Sequence, residues 1–230
     1  MRYPATRRAL AAAVLFAGSS LASAEEPAPA ADAAVDESEE QAVAIAALER
    51  MGGYLRSLDA FKVRAVTSTD EVLLNGQKIQ FDKSLELQAK KPAGMRADIT
   101  SPYGKRSFYY DGKAFTLSTP DEKFYATIPA TGTNGEIIAV VKEKTGVNMP
   151  LADLFLWGAD EAAAGDIESA MIVGYGNVNG VRCEHYAFRQ QEVDWQICIQ
   201  EGDTPLPLKL VITSKLEEEQ PQFVSVMQWD

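Results

Sequence analysis

Val181–Ile199 reads VRCEHYAFRQQEVDWQICI. It holds both cysteines, the sole histidine and one of the three tryptophans. Its apolar and polar residues alternate with a period of two on either side of a short polar break. That pattern describes two antiparallel strands joined by a tight turn. Placing Cys183 opposite Cys198 sets an expected register. Arg189 then meets Glu192 around a Gln190-Gln191 turn, His185 meets Gln196, Tyr186 meets Trp195 and Phe188 meets Val193. One face carries Cys183, His185 and Ala187 with Cys198, Gln196 and Asp194. The other carries Tyr186 and Phe188 with Val193, Trp195, Ile197 and Ile199. An ion pair at the turn, an aromatic cross-strand pair and the sorting of polar from apolar faces all agree with this arrangement.

Period-two alternation continues outward in both directions. Upstream, Phe61, Val63 and Ala65 alternate with Lys62 and Arg64. Asn75-Gly76 and Asp111-Gly112 sit between strand-like runs and mark type I′ hairpins. Strands at Leu85–Ala89, Met95–Thr100, Ser107–Tyr110, Lys113–Leu117 and Phe124–Ile128 complete six in meander order. Five more follow the break: Met171–Tyr175, Val181–Arg189, Val193–Gln200, Pro207–Ser214 and Gln222–Trp229. Between the two groups, Gly135–Lys144 and Pro150–Trp157 read as short apolar helices, followed by a loop or a polar turn of helix over Glu161–Ser169. Ala42–Arg56 reads as an amphipathic helix with an apolar face of Val43, Ala46, Ala47, Met51, Tyr54 and Leu55. The expected fold is α+β: a large curved antiparallel sheet, a half-barrel of about eleven strands, with two or three helices on its concave face.

The N-terminus has the pattern of an export signal. Arg2, Arg7 and Arg8 precede the short apolar run Ala9–Ala17, and Ala22-Ser23-Ala24 is a small-x-small cleavage site. The run is too short to span a bilayer, and no later stretch reads as a transmembrane segment. Residues 1–24 are therefore expected to be a signal peptide cleaved after Ala24. Glu25–Gln41, rich in Ala, Pro and acids, is expected to be a disordered leader. Residues 42–230 are expected to form a single half-barrel domain in the periplasm. The net charge is −11, and loss of the three signal arginines leaves −14. So acidic a body disfavours nucleic acid as a partner.

An exported chain with two cysteines is expected to oxidise them. A Cys183–Cys198 disulfide across so short a loop contributes about 3 kcal/mol in the chain-entropy picture. Catalytic readings find little support. His185 has Asp194 near it but no nucleophile elbow, and H-E-x-x-H is absent. Gly174–Gly180 has G-x-G-x-x-x-G spacing and runs into a strand, not the helix a dinucleotide site needs. No catalytic residue, metal or cofactor is expected. The apolar helices, with Ile137, Ile138, Val140, Val141, Phe155, Leu156 and Trp157, read either as core packing against the sheet or as a lid over an apolar space. The candidate wall of that space is Tyr186, Phe188 and Trp195 with Phe155 and Trp157.

Over Val181–Thr213, the Cys183-x-His185 strand, Asp194-Trp195-Gln196 and Pro205-x-Pro207 with Lys209 resemble a family of predicted periplasmic proteins of unassigned function. Lys90–Leu117 (KKPAGMRADI to YYDGKAFTL) is similar to the same family. The family resembles the lipoprotein-carrier superfamily, LolA/LolB-like, whose half-open barrel with plugging helices carries acyl chains. Cys198 stands where many members have a large apolar residue, so the resemblance implies a disulfide particular to this chain. It also implies a binding or carrier protein for a lipid, acyl chain or other apolar ligand. The alternative is an envelope module that docks a protein partner and holds no small ligand.

Overall fold

The computed structural model describes residues 37–145, 149, 151–157 and 166–230. The expected signal peptide and most of the expected leader lie outside the described residues, as does most of the loop or helical turn expected over Glu161–Ser169. The described residues belong to one unit, Val35–Asp230.

The first helix, α1, spans Glu37–Ser57. It begins inside the stretch expected to be disordered, because Glu37, Glu39 and Glu40 place three carboxylates on its first turn, where the helix dipole favours them. Its buried stripe is Ala44, Ala47, Met51, Gly52 and Leu55. Val43 and Ala46, assigned to the apolar face from spacing, are exposed. The buried positions recur at helical spacing, with Ala44 and Ala47 in the first half of the stripe and the larger Met51 and Leu55 in the second.

Six strands form the first meander: β1 (Ala60–Val72), β2 (Lys78–Lys90), β3 (Met95–Ser101), β4 (Gly104–Tyr110), β5 (Ala114–Thr119) and β6 (Phe124–Pro129). Helices α2 (Asn134–Thr145) and α3 (Asp153–Leu156) follow. The second meander is β7 (Ser169–Val178), β8 (Val181–Arg189), β9 (Val193–Gln200), β10 (Pro207–Ser214) and β11 (Gln222–Trp229). Helix α3 is one turn, shorter than the helix expected over Pro150–Trp157, and Leu151 just before it has a left-handed φ of 59°.

The two meanders join where β1 pairs with β11, from Val63 opposite Trp229 to Thr69 opposite Phe223. One eleven-stranded sheet results, in the order β6-β5-β4-β3-β2-β1-β11-β10-β9-β8-β7. Each neighbouring pair in that order is antiparallel. The sheet stays open, so β6 and β7 are its edges.

Directly opposed residues share a face. One inner row therefore runs Phe108–Ala97–Leu87–Val63–Trp229. A second runs Thr67–Ser225–Leu210–Ile197–Tyr186. The inner residues pack with Met51 and Leu55 of α1, Ile137 and Val141 of α2 and Leu154 of α3 in one core. A smaller cluster of Val178, Cys183, Cys198 and Leu208 lies apart from it. Ser225 is fully buried in the second row, and its Oγ has no hydrogen-bond partner.

The β8–β9 register differs from the expected one by two residues. Cys183 lies opposite Gln200, His185 opposite Cys198, Phe188 opposite Trp195 and Arg189 opposite Asp194. A slip of two keeps every side chain on its face, so the sorting of faces stands while the partners change. The shifted register places Gln191-Glu192 at the turn, closed by Gln190 N–H to Val193 O at 2.9 Å. It stacks Phe188 on Trp195 with centroids 4.2 Å apart, in place of the Tyr186–Trp195 pair. Arg189 reaches both Asp194 oxygens at 3.1 Å, in place of Glu192. The disulfide forms on the diagonal, with Cα atoms 5.4 Å apart.

Ala47 and Ala46 are neighbours that differ in burial, the first fully buried and the second exposed. Ala47→Leu should overpack the helix–sheet contact and lower stability by about 1–3 kcal/mol in urea denaturation. Ala46→Leu should change it by less than about 0.5 kcal/mol. Equal effects would contradict the placement of α1.

Candidate ligand-binding cleft

The last turn of α1 ends with carbonyls that no further helix can satisfy. Lys91, in the turn between β2 and β3, supplies donors. Its Nζ donates to Leu55 O and to Arg56 O, both at 2.7 Å. Burial of the ammonium pushes its pKa down, opposed by the nearby Asp59 carboxylate. The next residue, Pro92, accepts from Asn134 N–H at 3.0 Å, which ties the same turn to the start of α2. The buried Asn134 side chain accepts from Gly94 N–H at 2.9 Å and donates to Lys90 O at 3.1 Å. Helix α2 opens with a capping box. Thr133 N–H donates to Glu136 Oε2 at 2.7 Å, and Glu136 N–H donates to Thr133 Oγ1 at 3.4 Å. The backbone and hydroxyl of Thr133 hold the Glu136 carboxyl below its usual pKa.

These contacts leave a cleft of about 470 Å³ between the end of α1, the start of β1, the Lys91-Pro92 turn, α2 and α3. Its walls are mainly apolar: Leu55, Phe61, Pro92, Leu154, Phe155 and Leu156. Phe61 anchors them, with its ring centroid 5.7 Å from Phe155 and 5.6 Å from Trp229. Trp229 is held in turn by Nε1–H donating to Pro207 O at 2.8 Å. Arg56 and Lys91 are the cations on the rim. The volume falls within the roughly 300–1,000 Å³ of small-molecule sites.

Other depressions are less suited to an apolar ligand. One of about 610 Å³ beside the β8–β9 turn is walled by Asp166, Glu168, Glu192 and two glutamines. Another, of about 680 Å³, lies around Arg64, Val66 and Val226. Its charges are already paired: Arg64 with Asp230, Glu86 with Lys62 and Asp98 with Arg96.

The structure divides the wall expected from sequence. Phe155 lines the cleft. Trp157 closes α3 beside it and accepts Arg56 Nη1 on its carbonyl at 3.1 Å. Tyr186 and Phe188 are buried in the core on β8, and the half-buried Trp195 donates its Nε1–H to Gln190 Oε1 at 3.1 Å. Sequence reasoning missed Phe61, Arg56, Lys91 and Asn134. Thr133-x-x-Glu136 was the legible signal, since a capping box marks where α2 begins.

Cys183 and Cys198 lie against Gly176 of β7. A Cβ there would stand 3.0 Å from Cys198 Sγ and 3.2 Å from Cys183 Sγ. His185 Nε2 lies 3.2 Å from Gln196 Oε1. Among the described residues no group of three or more His, Cys, Asp or Glu is placed to hold a metal, and no helix is long and apolar enough to cross a membrane.

The chain thus forms one open sheet of eleven antiparallel strands with helices packed on its inner face. The chain belongs to the family described as predicted periplasmic protein (DUF2092), whose model matches residues 44–230, and the protein is accordingly periplasmic. Among solved structures, it is similar to lipoprotein LppX of Mycobacterium tuberculosis at 10% identity and a TM-score of 0.53, over 82% of this chain and 95% of that one. A LolA superfamily protein of Nitrosomonas europaea matches at 10% identity and a TM-score of 0.39, over 80% of this chain and 91% of that one. MucB, in its complex with MucA from Pseudomonas aeruginosa, matches at 17% identity and a TM-score of 0.44, over 81% of this chain and only 57% of that one. A search of curated proteins finds no significant match.

One titration reports on the seat of α1. Tyr186 Oη donates to Glu184 Oε2 at 2.7 Å, and Arg50 of α1 reaches the same oxygen at 3.5 Å. Burial, and then the Glu184 carboxylate, push the Tyr186 hydroxyl up to about 12. A raised folded-state pKa gives stability that is full below pH 10 and lost as the pH rises towards 12. Denaturation midpoints of the wild type should fall across that window, and Tyr186→Phe should flatten the fall. Identical alkaline profiles would show that Tyr186 is not held in this contact.

Proposed function

We propose that the protein is a periplasmic binding or carrier protein for an apolar ligand, a lipid or acyl chain. The observation that carries this reading is the cleft at the end of α1. Within it Phe61 of β1 and Phe155 of the one-turn α3 face each other, beside Leu55 of α1. An apolar chain placed there removes its own surface and that of the walls from water. The lipoprotein-carrier fold supports the same reading. On this reading the protein binds its ligand without transforming it: Thr133 and Glu136 in the lining are engaged with each other in the α2 cap, and His185 is engaged with Gln196.

Native mass spectrometry of the exported protein should show a co-purifying apolar compound released by solvent extraction. Phe155→Gln should weaken binding of an apolar fluorescent probe by roughly ten- to a hundredfold, from the loss of about 1.5–3 kcal/mol of side-chain burial. A ligand-free protein that binds no such probe would remove this reading.

A second reading, a module that docks an envelope protein, is favoured by β6. This edge strand, Phe124–Pro129, carries no charge, and Phe124 and Tyr125 are 57% and 71% exposed. The other edge is guarded. β7 has a bulge between Ile172 and Gly174, and its Ile172 N–H donates to Glu40 Oε1 at 2.7 Å. An unguarded edge is a template for an added strand. A photo-crosslinker at Tyr125 should then capture a stoichiometric protein partner in the periplasm, and Thr127→Lys should abolish the capture. No crosslinked partner at Tyr125 would exclude docking on this edge.

A further inference from the structure

The rim of the cleft carries two cations with unspent donors. An ammonium has three N–H bonds. Two of those on Lys91 go to the Leu55 and Arg56 carbonyls, which fixes Nζ and leaves one proton uncommitted. A guanidinium has five donors. Arg56 uses one on Trp157 O and makes no ion pair among the described residues. The carboxylate that lines the cleft, Glu136, is held by the Thr133 backbone and hydroxyl. Asp59 lies near Lys91 without an ion pair within 4.0 Å. Two positive side chains at the mouth of an apolar cleft are an unusual concentration in a chain of net charge −11.

We propose that the ligand of this cleft is a single-chain amphiphile with a carboxylate head, a long-chain fatty acid. Its chain lies against Leu55, Phe61, Leu154 and Phe155, and its head is held by Lys91 Nζ and the Arg56 guanidinium. This rests on the apolar-ligand reading and deepens it. The volume of about 470 Å³ is in the lower part of the small-ligand range and suits one chain rather than a diacyl lipid. A guanidinium fork matches the two oxygens of a carboxylate. The capped end of α1 fixes one cation before any ligand arrives, so little ordering remains to be done on binding.

The test compares dodecanoic acid with 1-dodecanol, which has the same chain and no charge, by displacement of an apolar fluorescent probe from the full exported protein. The acid should bind at least tenfold tighter in low salt, and the advantage should shrink in 0.5 M NaCl as screening rises. Lys91→Gln and Arg56→Gln should each cut acid affinity about five- to tenfold and leave alcohol affinity within twofold. Inorganic phosphate alone should displace nothing. Lys91 also caps α1; if Lys91→Gln does not fold, Arg56→Gln gives the same comparison without that cap. Equal affinities for acid and alcohol, or an acid preference that Arg56→Gln leaves undiminished, would overturn the carboxylate site and leave the apolar-ligand reading standing. Binding of neither would overturn both.

Discussion

The pairing of β1 with β11 is the constraint on which the rest of the molecule depends. Each meander is a chain of local hairpins, and each alone exposes an apolar face and two open edges. Seven residue pairs, from Val63–Trp229 to Thr69–Phe223, join them into one sheet. The joined strands come from opposite ends of the described chain, so the contact closes a very long loop. Loop entropy grows only slowly with length, which makes such a closure affordable once the faces it aligns are apolar. Val63, Ala65 and Met227, all buried, supply that surface at the seam. The seam also brings Phe61 beside Trp229, and thereby builds one wall of the cleft.

Local features of this fold were legible in the sequence, and non-local ones were not. Val181–Arg189, Val193–Gln200, Pro207–Ser214 and Gln222–Trp229 are strands with the bounds expected from alternation and turn residues. Alternation assigns faces but is blind to a slip of two residues. The β8–β9 register was therefore set by assuming opposed cysteines, whereas Phe188 stacking on Trp195 and the Arg189–Asp194 pair decide it. The seam had no sequence signal, since no turn joins β1 to β11. The rim of the cleft was hidden for a related reason. Lys91 and Asn134 act on backbone carbonyls and amides of distant segments, and backbone groups leave no trace in residue identity.

Polar groups, more than apolar ones, determine where the helices sit. The apolar stripe of α1 is mostly alanine, glycine and methionine, which pack in many orientations. Its C-terminal end is fixed by Lys91 at 2.7 Å on two carbonyls, and its N-terminal end by Glu40 on the β7 amide of Ile172. The first contact seats the helix beside the cleft; the second also guards a sheet edge. Asn134 does the same for α2 against the β2–β3 turn. Hydrogen bonds of this kind add about 1 kcal/mol each, but leaving a buried partner unmet costs more, so they select one arrangement among several apolar ones.

That selection bears on how the cleft works. Its apolar walls belong to β1, α1 and α3, while Lys91 and Pro92 link the first two to α2. Helix α3, a single turn, is seated by Leu154 in the core, by Phe155 against Phe61 and by Arg56 on Trp157 O. On the proposed function, the donors that Arg56 keeps beyond its bond to Trp157 O can meet a ligand head while that bond stays in place. The same residue thus ties the end of α3 to the rim, while the Lys91 cap holds the end of α1. One cation fixed on the α1 carbonyls and one beside the end of α3 are therefore set by the same contacts that seat the helices, and the proposed head position follows from the packing of the fold.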